Sequence, residues 1–398
     1  LALDVDFAAG ASDLFTIARA ATGTTAIAIT PVNVTAGFSD NVLLVDAGAG
    51  TEETAFSLAS ELSGIGPFLS FDLTFDAAAF DFLVGLTVNE RIFEGTQIAE
   101  AAQSLWYRST DAWADHRASA RFSKTDVKGS WATFYGAAVN RNELFSNPTG
   151  LTVGNAVLDY SQDYFGLQAG VEHQLSEQVT LGITGGYVNS QFRLAANGNG
   201  ARFDALNIGL AASYVSDGFY VEALLKYDHI TGALTDPAEG GFSGDVAGNA
   251  YGARLEAGYR LGGDTFYVEP RVSMDFQQTD IDDLDIAAQR FEFGAMDGLR
   301  GAAGVRLGGE SSASAKTTIG YYVDASAVRE FAGDGETRFV IPTDSVSFVN
   351  DPVGTYAHLE AGITFENEGP VSGFFQVESD LSGDFTSFGG KAGIRVRF

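Results

Sequence analysis

The stretch Tyr251-Gly252-Ala253-Arg254-Leu255-Glu256-Ala257-Gly258-Tyr259-Arg260-Leu261 decides the fold. Successive side chains of an extended chain point to opposite faces, so Tyr251, Ala253, Leu255, Ala257, Tyr259 and Leu261 share one side. Gly252, Arg254, Glu256, Gly258 and Arg260 share the other. After a short turn near Gly262–Asp264 the pattern restarts, with Phe266, Val268, Pro270, Val272, Met274 and Phe276 set against Tyr267, Glu269, Arg271, Ser273, Asp275 and Gln277. A soluble sandwich also alternates, its apolar face turned inward, so alternation alone does not say where lipid lies.

Length and count decide. Working outward from this pair, such runs recur near 131–141, 161–173, 177–191, 202–215, 218–230, 248–261, 264–279, 296–309, 315–331, 354–366, 370–380 and 387–398. Several are ten residues or longer, whereas soluble strands usually run about five or six. The turns around Leu175–Glu177, Ser216–Gly218 and Gly262–Asp264 are brief, while 142–160, 231–247, 279–295 and 332–353 carry the Gly, Asp and Pro of surface loops. An even-stranded antiparallel transmembrane barrel, with short periplasmic turns and long extracellular loops, predicts that asymmetry.

Composition agrees. The 48 Gly, 31 Phe, 14 Tyr and 3 Trp suit twisted strands, aromatic belts and tight turns. The net charge of −29 repels a polyanion and argues against nucleic acid as a partner. Absence of Cys removes disulfides and thiol chemistry. No apolar run is long enough for a transmembrane helix, and no signal-like segment opens the chain. Leu1 is therefore expected to follow a removed leader or a longer precursor.

Ahead of the barrel the period changes. Thr87-x-x-Glu90 is a capping-box pattern, and Ile98, Ala102, Leu105 and Ala112 then recur at helical spacing, predicting a helix from about Glu90 to Arg117. At about 28 residues it would be roughly 42 Å long, enough to cross a bilayer. Glu90, Arg91, Glu94, Glu100, Arg108, Asp111, Asp115 and Arg117 make it too polar for lipid, so it could cross only inside a wet conduit. Residues 1–88 hold short runs such as Thr25–Thr30, Val42–Val45 and Phe68–Phe75, which read as short strands of a small sandwich or as last rungs of a β-helix.

The chain ends Gly393-Ile394-Arg395-Val396-Arg397-Phe398. This strand, closing on Phe398, resembles the C-terminal signature by which outer-membrane barrels are recognised by their assembly machinery. Residues 65–398 resemble autotransporter translocator domains. The resemblance rests on Leu86-Thr87-Val88-Asn89-Glu90 opening the helix, Trp131-Ala132-Thr133-Phe134-Tyr135-Gly136 opening the barrel, Phe165-Gly166-Leu167-Gln168-Ala169-Gly170 in the second strand, Pro270 and Phe398.

That resemblance implies a type V secretion device: an all-β, twelve-stranded barrel over 131–398, a lumenal linker helix over 89–118 and a β-helix-like passenger remnant over 1–88. It implies the Gram-negative outer membrane with the N-terminal segment at the cell surface. Outer-membrane lipid and lipopolysaccharide, the barrel-assembly machinery and the chain's own passenger are the implied partners of a monomeric barrel, without cofactor or enzymatic activity. Arg254, Glu256, Arg260, Glu269, Arg271, Asp275, Arg300, Arg306, Glu360, Lys391, Arg395 and Arg397 would wet the lumen and pair with helix charges. Replacing such lumenal arginines should be tolerated better than placing arginine on the lipid face.

Asn89 and Glu90 mark the passenger–barrel junction. Some autotransporters cut the passenger free inside the barrel, using an Asn at the helix entrance and acidic wall groups. The serine-protease group has Asn-Asn there and this chain has Asn89-Glu90, so an ordinary helix-start role is the simpler reading. Of the four His, His358 beside Glu360 imitates a catalytic pair but fits the polar lining equally. The run Asp280, Asp282, Asp283 and Asp285 could hold a hard divalent cation, yet lacks the EF-hand Gly and Glu, and reads more simply as a solvated loop. A passive porin, and a surface adhesin that keeps residues 1–88, are the remaining rivals.

Overall fold

The computed structural model describes residues 1–35, 37–38, 40–59, 66–122, 129–142, 144–145, 156–235, 244–286, 289–314, 316–349 and 352–397. Phe398 lies outside them. Among these residues twelve antiparallel strands form the barrel: β1 (Gly129–Arg141), β2 (Tyr160–Gln174), β3 (Val179–Leu194), β4 (Gly200–Ser216), β5 (Phe219–Thr235) and β6 (Asp245–Tyr259). The second half comprises β7 (Tyr267–Ile281), β8 (Met296–Ser314), β9 (Thr317–Ala332), β10 (Thr355–Asn367), β11 (Val371–Leu381) and β12 (Phe385–Arg397). Each pairs with its sequence neighbours, and β12 closes on β1 from Phe385 opposite Arg141 to Arg397 opposite Gly129. Closure leaves no edge in the barrel wall, as a bilayer requires.

The two faces sort as the alternation demands. Leu255, Val272 and Met274 are each more than half exposed, at 54%, 57% and 52%, whereas Arg254 and Glu256 are 6% and 3% exposed. Leu206, Ile208, Leu210, Leu225, Phe134 and Phe165 extend the same outward apolar surface around the wall. So large a belt of bare hydrocarbon is untenable in water and expected in lipid. The sandwich alternative is thereby removed, because here the charged face is the inner one.

The chain enters β1 from the end bearing the tight turns. Asp217 and Gly218 between β4 and β5 have φ of 51° and 86°, and two central residues with positive φ give the hairpin turn whose twist matches the strands. At the opposite end, two connections are as tight as these: Ala195–Asn199, closed by Leu194 N–H to Asn199 O at 2.7 Å, and Ser382–Asp384. The connections β7–β8 and β9–β10 are not irregular loops, as the sequence suggested. They raise strands Leu284–Ile286, Gln289–Phe293, Glu336–Ile341 and Asp344–Val349 into a separate sheet above the barrel mouth.

Residues 1–88 stack parallel strands, Ala2–Asp6 on Thr25–Asn33 on Phe56–Leu58, in the manner of β-helix rungs. An antiparallel hairpin, Leu69–Asp76 with Asp81–Val88, follows. Leu3, Val5, Ile27, Ile29, Val84 and Leu86 fill the interior. This segment sits on the mouth sheet: Phe68, fully buried, packs edge-on against Phe291 at 4.9 Å and Phe339 at 5.6 Å.

The single α-helix among the described residues, α1, runs Glu94–Ala120 after a 3₁₀ turn at Glu90–Phe93. Both ends differ from the sequence reading. Thr87 does not cap it, because Thr87 is held in the hairpin opposite Ser70; Asn89 caps the 3₁₀ turn that leads into it, Oδ1 accepting from Arg91 N–H at 3.0 Å. The C-terminus runs on past Arg117 to Ala120, with Arg121 N–H donating to Arg117 O at 2.8 Å. The extra turn brings Arg121, four residues beyond Arg117, onto Glu222, which Arg117 also meets.

Candidate functional site: the helix-filled lumen

Helix α1 threads the barrel from the mouth to the turn end and is buried on nearly every side, including Glu94, Glu100, Asp115 and Arg117. Charges removed from water need partners, and the wall supplies them at every level. At the mouth, Glu94 accepts from Asn197 Nδ2 at 2.7 Å and Asn199 Nδ2 at 3.0 Å. One level down, Glu100 pairs with Arg141 and accepts from Tyr160 Oη at 3.0 Å, while Gln162 Nε2 donates to Ala101 O at 3.1 Å.

Midway, Arg300 holds Asp111 at 2.6 Å and Asp275 at 2.9 Å, and Arg254 bridges Asp275 at 3.1 Å and Glu256 at 2.9 Å. Lys226 donates to Ser109 Oγ at 2.7 Å and to Asp228 at 2.6 Å, with its ammonium 4.8 Å from the Trp106 ring. Lys391 joins Asp115 of the helix to Glu378 of the wall, the latter at 2.7 Å.

At the turn end the helix finishes in an ionic knot. Arg117 meets Glu172 at 2.9 Å and Glu222 at 3.1 Å; Arg121 meets Glu222 at 2.6 Å, Glu256 at 2.9 Å and Glu269 at 2.9 Å. The Arg121 guanidinium also lies 3.5 Å from the Tyr220 ring centroid, and His116 stacks on Trp131 at 4.0 Å. Burying these ions is costly, and the return comes from several charge-assisted hydrogen bonds per guanidinium.

The residues singled out in the sequence fall in three places. Arg254, Glu256, Glu269, Arg271, Asp275, Arg300, Arg306, Glu360 and Lys391 lie on the inner face; Arg271 meets Asp324 at 2.8 Å and Arg306 meets Glu360 at 3.1 Å. Arg260 and Arg395 lie nearer the turn end, on Glu269 at 2.8 Å and Glu366 at 3.2 Å. Arg397 donates to the carbonyls of Asn367, at 2.7 Å, and Gly369, clamping the β10–β11 turn. At the junction Asn89 also donates to Pro67 O at 2.9 Å, so both ends of its amide are engaged, and Glu90 is exposed.

Sequence reasoning missed Glu172, Glu222, Lys226, Asp228 and Asp324. All are buried, and each shares the inward parity of its strand, so extending the alternation count from β6 and β7 to every run would have found them. Asp283 in the acidic run is paired with Arg290, and Asp285 lies 3.7 Å from the same guanidinium.

Comparison with known proteins adds a second line. The family model described as the autotransporter beta-domain matches residues 145–378. Pertactin autotransporter of Bordetella bronchiseptica is 24% identical over 285 residues, 66% of this chain and 28% of its own length. Probable autotransporter YcgV of Escherichia coli is 27% identical over 226 residues, 52% of this chain and 23% of its own. The chain thus spans about a quarter of the length of these relatives. Among solved structures, the translocator domain of autotransporter NalP from Neisseria meningitidis has a TM-score of 0.53 at 16% identity, covering 75% of this chain and all of that one. The transport unit of AIDA-I from Escherichia coli has 0.53 at 15% identity, covering 73% and 99%.

Proposed function

The chain belongs to the autotransporter β-domain family, and from that premise we propose that it carries a passenger to the cell surface and holds it there. The observation supporting this most is α1, a charged helix buried in the lumen, joining a β-rich segment at the mouth to β1 at the turn end. A polypeptide in that position has passed through the barrel. The turn end then faces the periplasm and the mouth faces outward, so residues 1–88 are displayed.

On this reading the apolar belt meets outer-membrane lipid and lipopolysaccharide, Phe398 is the residue by which the assembly machinery takes up the barrel, and one chain makes one complete pore. The inner-face arginines and glutamates serve export by holding the linker helix once translocation ends. No part of this needs a nucleophile or a cofactor.

The test is an epitope fused ahead of Leu1 in intact Gram-negative cells. Added protease should remove the epitope while the barrel stays protected. An epitope that is degraded only after the outer membrane is breached would defeat the display reading. The contacts of Phe68 and Asn89 with their surroundings favour a retained over a released segment. A retained segment stays with the cell pellet rather than entering the medium.

A further inference from the structure

The register of β10 and β11 sets Glu360 directly opposite Glu378, and His358 directly opposite Asp380. Two carboxylates facing each other across adjacent strands are unfavourable unless a cation stands between them. Their neighbours supply only part of the balance. Glu360 gives one oxygen, Oε1, to Arg306 at 3.1 Å and turns Oε2 towards His358 Nε2 at 3.7 Å. Glu378 gives Oε2 to Lys391 at 2.7 Å. Arg306 is shared with Asp324, Lys391 with Asp115, and Asp380 has Arg108 at 3.8 Å. Asp115, Asp324, Glu360, Glu378 and Asp380 therefore draw on Arg108, Arg271, Arg306 and Lys391, which leaves the fifth positive charge to His358 or to what it holds.

His358 is oriented for more than a counter-charge. Its Nδ1 lies 2.7 Å from Asp380 Oδ1, the carboxylate–imidazole contact that fixes a ring so that its other nitrogen can take a metal. His358, Glu360 and Glu378 each bring one donor atom within 4.8 Å of the others. A cavity of about 60 Å³, bordered by His358, Glu378, Asp380 and Lys391, adjoins the group and is large enough for water to enter and complete a coordination shell.

We propose that His358, Glu360 and Glu378 form a Zn²⁺ site within the lumen, with Asp380 as the outer-sphere carboxylate and water as the fourth ligand. One imidazole with two carboxylates suits zinc or its borderline neighbours, whereas Ca²⁺ and Mg²⁺ prefer all-oxygen shells. Metal–donor bonds of about 2.0–2.2 Å place donors roughly 3.3 Å apart, so binding draws the two glutamate side chains inward by about an ångström. The ion places positive charge between the two glutamates and staples β10 to β11 beside the helix.

The test uses the full chain in detergent micelles, stripped with a chelator and titrated with Zn²⁺ by calorimetry, with Co²⁺ absorption as a probe of coordination geometry. One ion per chain and a tetrahedral Co²⁺ spectrum are expected. Glu378→Gln and His358→Ala should each weaken binding at least a hundredfold, and Asp380→Asn about 10–100-fold. Retained heat-modifiable migration shows that each variant is still a barrel, and His358→Gln replaces His358→Ala should the latter not assemble. Absence of uptake by the unaltered chain would leave His358 as a protonated counter-ion and overturn the site. Unchanged uptake in the His358 variant would place the ion elsewhere and overturn it equally.

Discussion

Arg121 shows what a single side chain does here. It meets three wall carboxylates from three strands, Glu222, Glu256 and Glu269, with almost no access to water. Arg121→Ala takes a cation from all three acids, which keep Arg117, Arg254 and Arg260, and removing one partner of a buried ionic group costs up to about 3–5 kcal/mol. The urea midpoint of the barrel in detergent should fall accordingly, and an unchanged midpoint would show that the knot carries little stability. The same reasoning revises the expected ranking of faces. Leu255→Arg puts a cation into lipid at about 2–4 kcal/mol. Arg254→Leu takes one cation from both Asp275, which keeps Arg300, and Glu256, which keeps Arg121, so it too should cost up to about 3–5 kcal/mol rather than be tolerated. Refolding titrations of both variants into vesicles check this, and a silent Arg254→Leu would refute it.

Helix α1 makes sense only as an element of the whole, since its apolar stripe of Ile98, Ala102, Leu105 and Ala112 is flanked by Glu100, Arg108, Asp111, Asp115 and Arg117. Its fit depends on small residues in the wall. A side chain begun at Gly252 would stand 2.7 Å from the Trp106 ring, and one begun at Gly298 2.4 Å from the Tyr107 hydroxyl. Gly298→Leu should therefore push the helix off its seat, seen as raised and noisier conductance in planar bilayers with barrel yield retained. A quiet pore would mean that the helix shifts without loosening. The mouth sheet is the second element to test. Phe339 is fully buried between Phe68 and Phe291, and Phe339→Ala removes about 3–5 kcal/mol of packing from that contact. Faster proteolysis of residues 1–88 on intact cells, with the barrel unaffected, is the expected result; equal rates would show that the clasp does not hold the segment.

At the scale of the molecule, twelve strands enclose more room than the eight whose side chains can just fill a barrel, and a helix roughly 10–12 Å wide takes up the difference. Deleting residues 1–117 should raise single-channel conductance, while the intact chain shows small flickering openings. The deletion takes Glu94, Glu100, Asp111 and Asp115 from the lumen against Arg108 and Arg117, a loss of two net negative charges, so selectivity should move towards anions. Identical conductance with and without residues 1–117 would put the helix outside the conducting path and restore the passive porin.

The sequence by itself determined the wall. Period-2 alternation is a property of each strand alone, so the strand count, the lipid and lumen faces and the polar character of α1 were legible without any contact being known. Even the missed Glu222 and Lys226 carry the right parity. What only the tertiary structure decided is everything that depends on register and closure. Which carboxylates Arg121 meets, that Arg397 clamps a turn, and that Glu360 stands opposite Glu378 all follow from how strands slide past one another. The helix ends and the mouth sheet belong to the same class. Thr87 was lost as a cap because a hairpin partner claimed it, and Gln289–Phe293 became strand because Glu336–Ile341, more than forty residues away, lies beside it. A pairing between distant segments leaves no mark on the local period, which is why the sequence shows the faces of this barrel but not what each inner side chain touches.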